Sequence, residues 1–334
     1  MPRFQDLLCP RPEGLYCPPG DFYIDPVRAV DRAVITHGHS DHARAGHGAV
    51  LATAETLAIM GERYGADFVG SAQALRYGET LKIKDVELTL APAGHVLGSA
   101  QAAVRQNGTK IVASGDYKRR RDPTCAPFEV IPCDVFITEA TFALPVFRHP
   151  DDAGEVRKVL RSLEQFPERT HLIGAYALGK AQRIIALLRE AGWARTIYIH
   201  GAMQRLCDLY VKHGVDLGPL ELATSEARGF AGEIIIAPPS AVQERWARRF
   251  AEPLSCFASG WMSVRQRAKQ RGVELPLVIS DHADWDELTR TIQETAPQEL
   301  WITHGRDDAL ARWAELEGIA AKRLDIVGYE DEDD

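Results

Sequence analysis

Through the first 140 residues, apolar and polar positions alternate in short runs closed by Gly, Pro, Asn or Asp, which predicts strands more than helices. Residues 14 to 36 alternate between Pro-Pro-Gly and Asp-Pro breaks and predict edge strands, ending in the β-branched run Arg32-Ala33-Val34-Ile35-Thr36. Val50 to Thr53 reads as a strand, Thr53 to Tyr64 as a helix, and Glu79 to Pro92 as a pair of strands. Ala100 to Ser114 reads as a hairpin, because Asn107-Gly108 supplies two residues that tolerate positive φ in a two-residue turn. Val135 to Thr138 is the next strand.

From about Pro150 the period changes. Helices over 151–164, 179–191, 202–213 and 240–250 alternate with strands over 171–175, 196–200, 233–237 and 254–258, which predicts a parallel α/β unit. The end reverts to short strands, Leu277 to Ser280 and Glu299 to Thr303, followed by a helix, Ala309 to Leu316, and a last strand, Arg323 to Val327. The first and last thirds therefore read as one domain interrupted by the middle, with divisions at 1–147, 148–270 and 271–334.

Length and composition fit this picture. A chain of 334 residues with 45% hydrophobic content can bury a large core and exceeds one average domain. Met1 to Asp6 lacks an apolar signal region, and no run approaches the roughly 18 apolar residues of a membrane span. The expectation is a cytoplasmic protein with no membrane partner. Cys9, Cys17, Cys125, Cys133, Cys207 and Cys256 form no C-x-x-C pair, which fits a reducing compartment and argues against a sulfur-ligated metal. The net charge of −8 counts against a nucleic-acid binder, yet part of it sits in the terminal Glu330 to Asp334, while Lys118-Arg119-Arg120-Arg121 and the stretch from Arg245 to Arg271 are basic. Charge must be read locally here.

The densest candidate chemistry is Thr36-His37-Gly38-His39-Ser40-Asp41-His42, with three imidazoles and a carboxylate within six residues at a strand end. From an extended segment His37 and His39 point the same way, while Asp41 and His42 lie past a bend and reach a second point. That spacing suggests two metals. Further candidates follow strand ends: His95 in Ala93-Gly94-His95, Asp116 in Ser114-Gly115-Asp116-Tyr117, Glu139 in Thr138-Glu139-Ala140-Thr141, His282 in Asp281-His282-Ala283-Asp284 and His304 in Thr303-His304-Gly305. The turns Gly174 to Lys180 and Ala258 to Trp261 carry glycines between strand and helix, where α/β sheets bind ligands.

His37-x-His39-x-Asp41-His42, His95, Asp116 and His304, in this order, resemble the metallo-β-lactamase superfamily, an αββα sandwich. The contexts of Glu139, His282 and His304, and the turn Ala175 to Gln182, resemble the β-CASP nucleases, which carry an inserted parallel α/β cap. The resemblance implies an α/β fold with that sandwich and cap. It also implies that His37, His39 and His95 hold one divalent metal, that Asp41, His42 and His304 hold another, and that Asp116 bridges them. Imidazole and carboxylate ligands suit Zn2+, with Mn2+ the second expectation. Asp41, Asp116, Glu139 and His282 are then the catalytic set, with His282 the general acid and Glu139 orienting it and raising its pKa. Asp25 corresponds to an acidic residue that supports the metal loop.

Within the group, Gly14 to Pro26 and Ser280 to Trp285 look like the bacterial ligase-associated DNA exonucleases. This implies a 5′→3′ exonuclease in DNA repair acting on single-stranded DNA or DNA ends, with a functional link to an ATP-dependent DNA ligase. Histidine at the third motif, His304, is equally compatible with an RNA-processing endonuclease or exoribonuclease. A thioesterase or lactonase is the distant alternative. Lys118, Arg119, Arg120 and Arg121, together with Lys180 and Arg183 after the Gly179 turn, are the expected phosphate contacts. His47, His149, His171, His200 and His213 match no motif and are expected to be structural or exposed.

Overall fold

The computed structural model describes residues 4–224, 229–250, 252–305 and 308–324, with the side chain of His304 outside the described part. The acidic tail and the end of the expected strand at Val327 also lie outside the described residues. Two compact units emerge: one runs to Arg148 and resumes at His282, and the other is His149–Asp281.

The first unit opens with β1 (Cys9–Arg11), β2 (Gly14–Cys17), β3 (Phe22–Ile24), β4 (Arg32–Val34), β5 (Ala49–Ala52), helix α1 (Ala54–Tyr64) and β6 (Ser71–Ala74). It continues through β7 (Thr80–Ile83), β8 (Val86–Pro92), β9 (Ala100–Gln106), β10 (Thr109–Ala113) and β11 (Val135–Ala140). The hairpin forms as expected, with Asn107 at φ 49° and Gly108 at φ 86° and the flanking strands β9 and β10 antiparallel. Thr53 caps α1 by accepting from Thr56 N, as its position before an apolar run predicts.

The second unit alternates α2 (Asp152–Gln165), β12 (His171–Gly174), α3 (Lys180–Glu190), β13 (Ile197–Ile199), α4 (Gln204–Lys212) and β14 (Leu220–Leu222). It then runs through β15 (Ile234–Ala237), α5 (Pro239–Gln243), β16 (Leu254–Ala258), α6 (Arg265–Gln270) and β17 (Leu275–Leu277). Its sheet has the order β14-β13-β15-β12-β16-β17, and every pairing in it is parallel. The helix expected over 240–250 stops at Gln243, and a 3-10 turn at Ala247–Arg249 takes over. Trp246, Ala247 and Phe250 all pack into one apolar cluster. Leu275–Leu277 pairs with Cys256–Ala258, so residues 271–281 lie with the second unit.

The chain returns to the first unit with α7 (Trp285–Thr295), β18 (Glu299–Gly305), α8 (Asp308–Leu316) and β19 (Ala320–Arg323). Its strands make two sheets, β1-β2-β3-β4-β5-β6 and β19-β18-β11-β10-β9-β8-β7. One core joins Leu15, Phe22, Ile24, Val34 and Leu51 of the first sheet to Leu88, Val104, Ile111, Ile137 and Trp301 of the second, so the sheets pack face to face. Met60 of α1 packs with Ile35 and Val50 against the first sheet. Leu288 and Ile292 of α7 and Leu310 of α8 pack with Phe136 and Ile302 against the second. Among the described residues no helix is long and apolar enough to cross a membrane.

One topological consequence positions the chemistry. Strands β10, β11 and β18 are parallel, and β8 runs the same way because both β8 and β10 are antiparallel to β9. Their carboxyl ends therefore share one edge of the sheet, the edge that carries His95, Asp116, Glu139 and the backbone of His304.

Candidate metal centre

The stretch that ends β4 leaves the sheet at Thr36 and turns back on itself, with Ala43 N donating to His39 O at 2.8 Å. Gly38 is required at the bend, since a Cβ there would lie 2.6 Å from Ile59 of α1. Arg63, from the last turn of the same helix, donates to Gly38 O at 2.6 Å. Asp25 supports the loop from below. Its Oδ1 accepts Thr36 N at 2.7 Å and its Oδ2 accepts the Thr36 hydroxyl, while His42 Nδ1 lies 2.8 Å from Oδ2.

These bonds set two tautomers. The Thr36 hydroxyl donates to a carboxylate, so toward His37 Nδ1, at 3.1 Å, it acts as acceptor and His37 carries its proton on Nδ1. The Nε2 lone pair of His37 then faces Asp116 Oδ2, 3.4 Å away. By the same logic His42 donates from Nδ1 to Asp25 and presents Nε2 at 3.4 Å to both Asp41 and Asp116. Holding one ring nitrogen on a carboxylate or hydroxyl to aim the other is how proteins orient metal-ligating histidines. Asp25 thus sits where the sequence expectation put it, and it adopts φ 44° to do so.

His95 reaches the same point from the end of β8. Its Nε2 lies 2.9 Å from His39 Nδ1 and 3.9 Å from Asp116 Oδ2, and Ser99 Oγ accepts its backbone N–H at 3.1 Å. Asp116 arrives after Gly115, whose φ of 56° brings it against Thr36: a Cβ there would be 2.7 Å from the Thr36 hydroxyl. His37, His39, His95 and Asp116 offer ligand atoms within 4.8 Å of one another, and His37, Asp41 and His42 form a second such group. The side chain of His304, the remaining expected ligand, lies outside the described part.

The electrostatics suit cations. Burial, reinforced by the charge of His42, holds the His37 imidazole well below the ordinary histidine range, which keeps it neutral as a ligand must be. Burial opposes charge on His42 as well, but the Asp116 and Asp41 carboxylates and the hydrogen bonds to Asp116 and Asp25 outweigh it and hold its pKa well above the usual range. His37 Nε2 and Asp41 Oδ1 are buried with no hydrogen-bond partner. Buried polar atoms in that state are rare and call for an explanation, and a cation held by each group supplies one. The donor set of imidazoles and carboxylates without thiolate fits a divalent ion of the zinc or manganese type.

Glu139 and His282 adjoin this cluster. The pairing of β11 with β18 shifts register between Thr138 and Ala140, and bulges of this kind re-aim a side chain. Glu139 is fully buried, accepts Tyr117 N at 2.8 Å through Oε1 and meets His282 Nδ1 at 2.8 Å through Oε2. The His282 ring lies 4.8 Å from that of His95, and its side chain retains 14% exposure, so it faces the cluster and solvent together.

The basic residues behave differently from expectation. Lys118 is fully buried, donates to His282 O at 3.0 Å and lies 3.7 Å from Glu287. It holds the His282 turn and meets no phosphate. Arg119 donates to Thr291 and Glu294 and Arg120 to Asp284, so both are committed to α7. Arg121 alone of the four is exposed. Lys180 and Arg183 are fully buried; Arg183 binds Asp152 and Ser280 O, and Lys180 faces Asp281 at 3.8 Å. The Gly179 turn is closed as well, because Gln182 Oε1 accepts Gly179 N, and Gly260 opens a four-residue 3-10 turn in place of a helix.

Replacing Lys118 with methionine is therefore expected to cost stability, about 3 kcal/mol as for breaking a buried ion pair, seen as a lowered thermal midpoint. A change in KM with an unaltered midpoint would show a phosphate contact after all. Of the unassigned histidines, His47 accepts Val30 N, His171 meets Ser162 and His200 caps the turn before α4, so these three are structural.

The residues that sequence reasoning missed are those that support the site. Thr36, Ser99 and Tyr117 carry no charge and differ in no local way from other polar residues; only their positions beside His37, His95 and Asp116 could have pointed to them.

No protein-family model matches the chain. Over 92% of its length it is 28% identical to a segment of a protein named "Probable DNA ligase" from Opitutus terrae, and it spans 30% of that protein. Over 35% of its length it is 32% identical to "Endoribonuclease ysh1" of Aspergillus fumigatus, of which it spans 14%. Both likenesses accord with the resemblance to the β-CASP metallo-β-lactamase nucleases read from the sequence. Among solved structures it resembles a protein of unknown function from Enterococcus faecalis V583 with TM-score 0.56 and 16% identity, over 81% of this chain and 74% of that one. This last likeness concerns the fold alone. The chain thus covers less than a third of the length of either named relative.

Proposed function

We propose that the chain is a two-metal phosphodiesterase that degrades DNA from the 5′ end, on a metallo-β-lactamase sandwich carrying a β-CASP insertion. The observation that carries the chemistry is the convergence of His37, His39, His95, Asp116, Asp41 and His42, with His37 Nε2 and Asp41 Oδ1 buried and unpartnered. His37, His39 and His95 would hold one ion, Asp41, His42 and His304 the other, and Asp116 would bridge them. Bound there, two divalent ions would lower the pKa of water and neutralise charge on the scissile phosphate.

The chain's own residues supply the rest. Asp25 aims His42, and Thr36 aims His37. The leaving alkoxide needs a proton, and His282 stands beside the cluster to donate it. Glu139 accepts from Nδ1 of that imidazole, which leaves Nε2 for the transfer. Six free cysteines accord with a cytoplasmic setting.

Similarity across 92% of the chain to part of a protein named as a DNA ligase supports DNA as substrate and a functional partnership with a ligase. A second reading, an RNA-processing endonuclease, has the endoribonuclease relatives in its favour, over about a third of the chain. End-labelled single-stranded DNA and RNA of matched sequence, each with zinc, manganese or magnesium, separate the two. The expected result is release of mononucleotides first from the 5′ label of DNA. Faster cutting of RNA, or internal cutting of circular DNA, would favour the second.

A further inference from the structure

In the second unit one face of the parallel sheet carries charge that the metal centre does not use. Between Arg245 and Arg271 there are seven Lys and Arg against a single carboxylate, Glu252, in a chain whose net charge is −8. Arg245 follows α5, Arg248 and Arg249 lie on the 3-10 turn Ala247–Arg249, Arg265, Arg267 and Lys269 lie on α6, and Arg271 follows it. A Cβ on Gly174 of β12 would meet both Val242 of α5 and Phe257 of β16, and Phe257 packs with Ala268 of α6, so α5 and α6 lie on the same side of the sheet.

Elsewhere in this unit Arg169 is neutralised by Glu274, Arg183 by Asp152 and Arg195 by Glu233. Among the described residues, Arg245, Arg248, Arg249, Arg265, Arg267 and Lys269 have no carboxylate within ion-pair distance. Two are instead held against rings. The Arg249 guanidinium lies 4.8 Å from the Trp246 ring centre, and Arg267 lies 4.1 Å from that of Trp261. Stacking orders the guanidinium and leaves in-plane N–H donors for a phosphate; Arg249 donates from its Nε to Trp246 O at 3.0 Å and keeps its terminal nitrogens. Trp246 and Trp261 are themselves half-buried, so each keeps an edge open beside the cation.

We infer that this face is a binding surface for a single nucleic-acid strand, in which Arg249 and Arg267 contact phosphates while Arg265 and Lys269 add long-range attraction. Arginines interleaved with aromatic side chains are the combination that single-strand binders use. Lysine-rich attraction to an anionic membrane does not need the aromatic partners, and six of the seven cations here are arginine.

The test is fluorescence anisotropy of a 5′-fluorescein-labelled twenty-residue oligo(dT) with the full chain in EDTA, which prevents cleavage, over a range of salt. Arg249→Glu/Arg267→Glu should weaken binding about tenfold or more. Arg265→Gln/Lys269→Gln, both at exposed positions where folding is not at stake, should weaken binding less, by a loss that fades as salt is raised and long-range attraction is screened. Hydrolysis of bis(p-nitrophenyl) phosphate by the metal-loaded protein should be unchanged in both variants. Unchanged strand binding in both would overturn the inference, as would tight binding to phosphatidylserine vesicles with none to the strand. If the unsubstituted protein fails to hydrolyse the small diester yet binds the strand as described, the metal-centre proposal falls and this surface stands.

Discussion

Replacing Asp116 with alanine is expected to lower turnover on DNA by roughly a thousandfold and to reduce bound metal at both positions. The side chain is almost fully buried, and its Oδ2 lies 3.4 Å from both His37 and His42 and 3.9 Å from His95. If two cations are held there, losing the group that would set their spacing would forfeit several kcal/mol of charge stabilisation at the phosphate, and each 1.4 kcal/mol is about a factor of ten. Asp116→Asn keeps the shape and removes the charge, so it should fall nearly as far. Turnover within a few-fold of the unsubstituted protein, measured with a labelled strand, would show that Asp116 bridges nothing.

The second large effect concerns His282. Its substitution by alanine should leave metal content unchanged and lower turnover on DNA by about 100-fold to 10,000-fold, the usual contribution of a general acid. On a p-nitrophenyl phosphodiester the loss should be slight, because p-nitrophenolate departs without needing a proton. The structure gives the reason to separate the two roles. Glu139 and Thr141 hold the ring through Nδ1, and Lys118 holds the backbone carbonyl, so the imidazole is positioned by contacts distinct from those among His37, His39 and His95. Equal losses on both substrates would make His282 a structural residue or a ligand.

Much of the centre was legible in the sequence because its donors are dense and local. His37, His39, Asp41 and His42 lie within six residues, and His95, Asp116 and Glu139 each stand at or near the end of a β-branched or alternating run. The parallel direction of β8, β10, β11 and β18, which brings those ends to one edge, depends on pairing between distant segments, and short-range periodicity does not report it. The phosphate contacts failed for a different reason. Charge in a sequence says nothing of burial, and Lys118, Lys180 and Arg183 read as solvent-facing cations although each is enclosed. Asp284 illustrates the opposite case: it caps α7 in a reciprocal box with Glu287, which its spacing before an apolar run announces. Several short elements were missed, among them β6, whose four residues are all exposed, and β14, with a single half-buried residue. Edge strands with no buried face leave no alternation to detect.

The central claim is a pair of divalent ions held by this cluster, and elemental analysis of the reconstituted protein, after exchange into metal-free buffer, tests it most directly. Close to two equivalents of zinc or manganese per chain are expected, falling below one when Asp116 is replaced by alanine. One equivalent or none in the unsubstituted protein would contradict it.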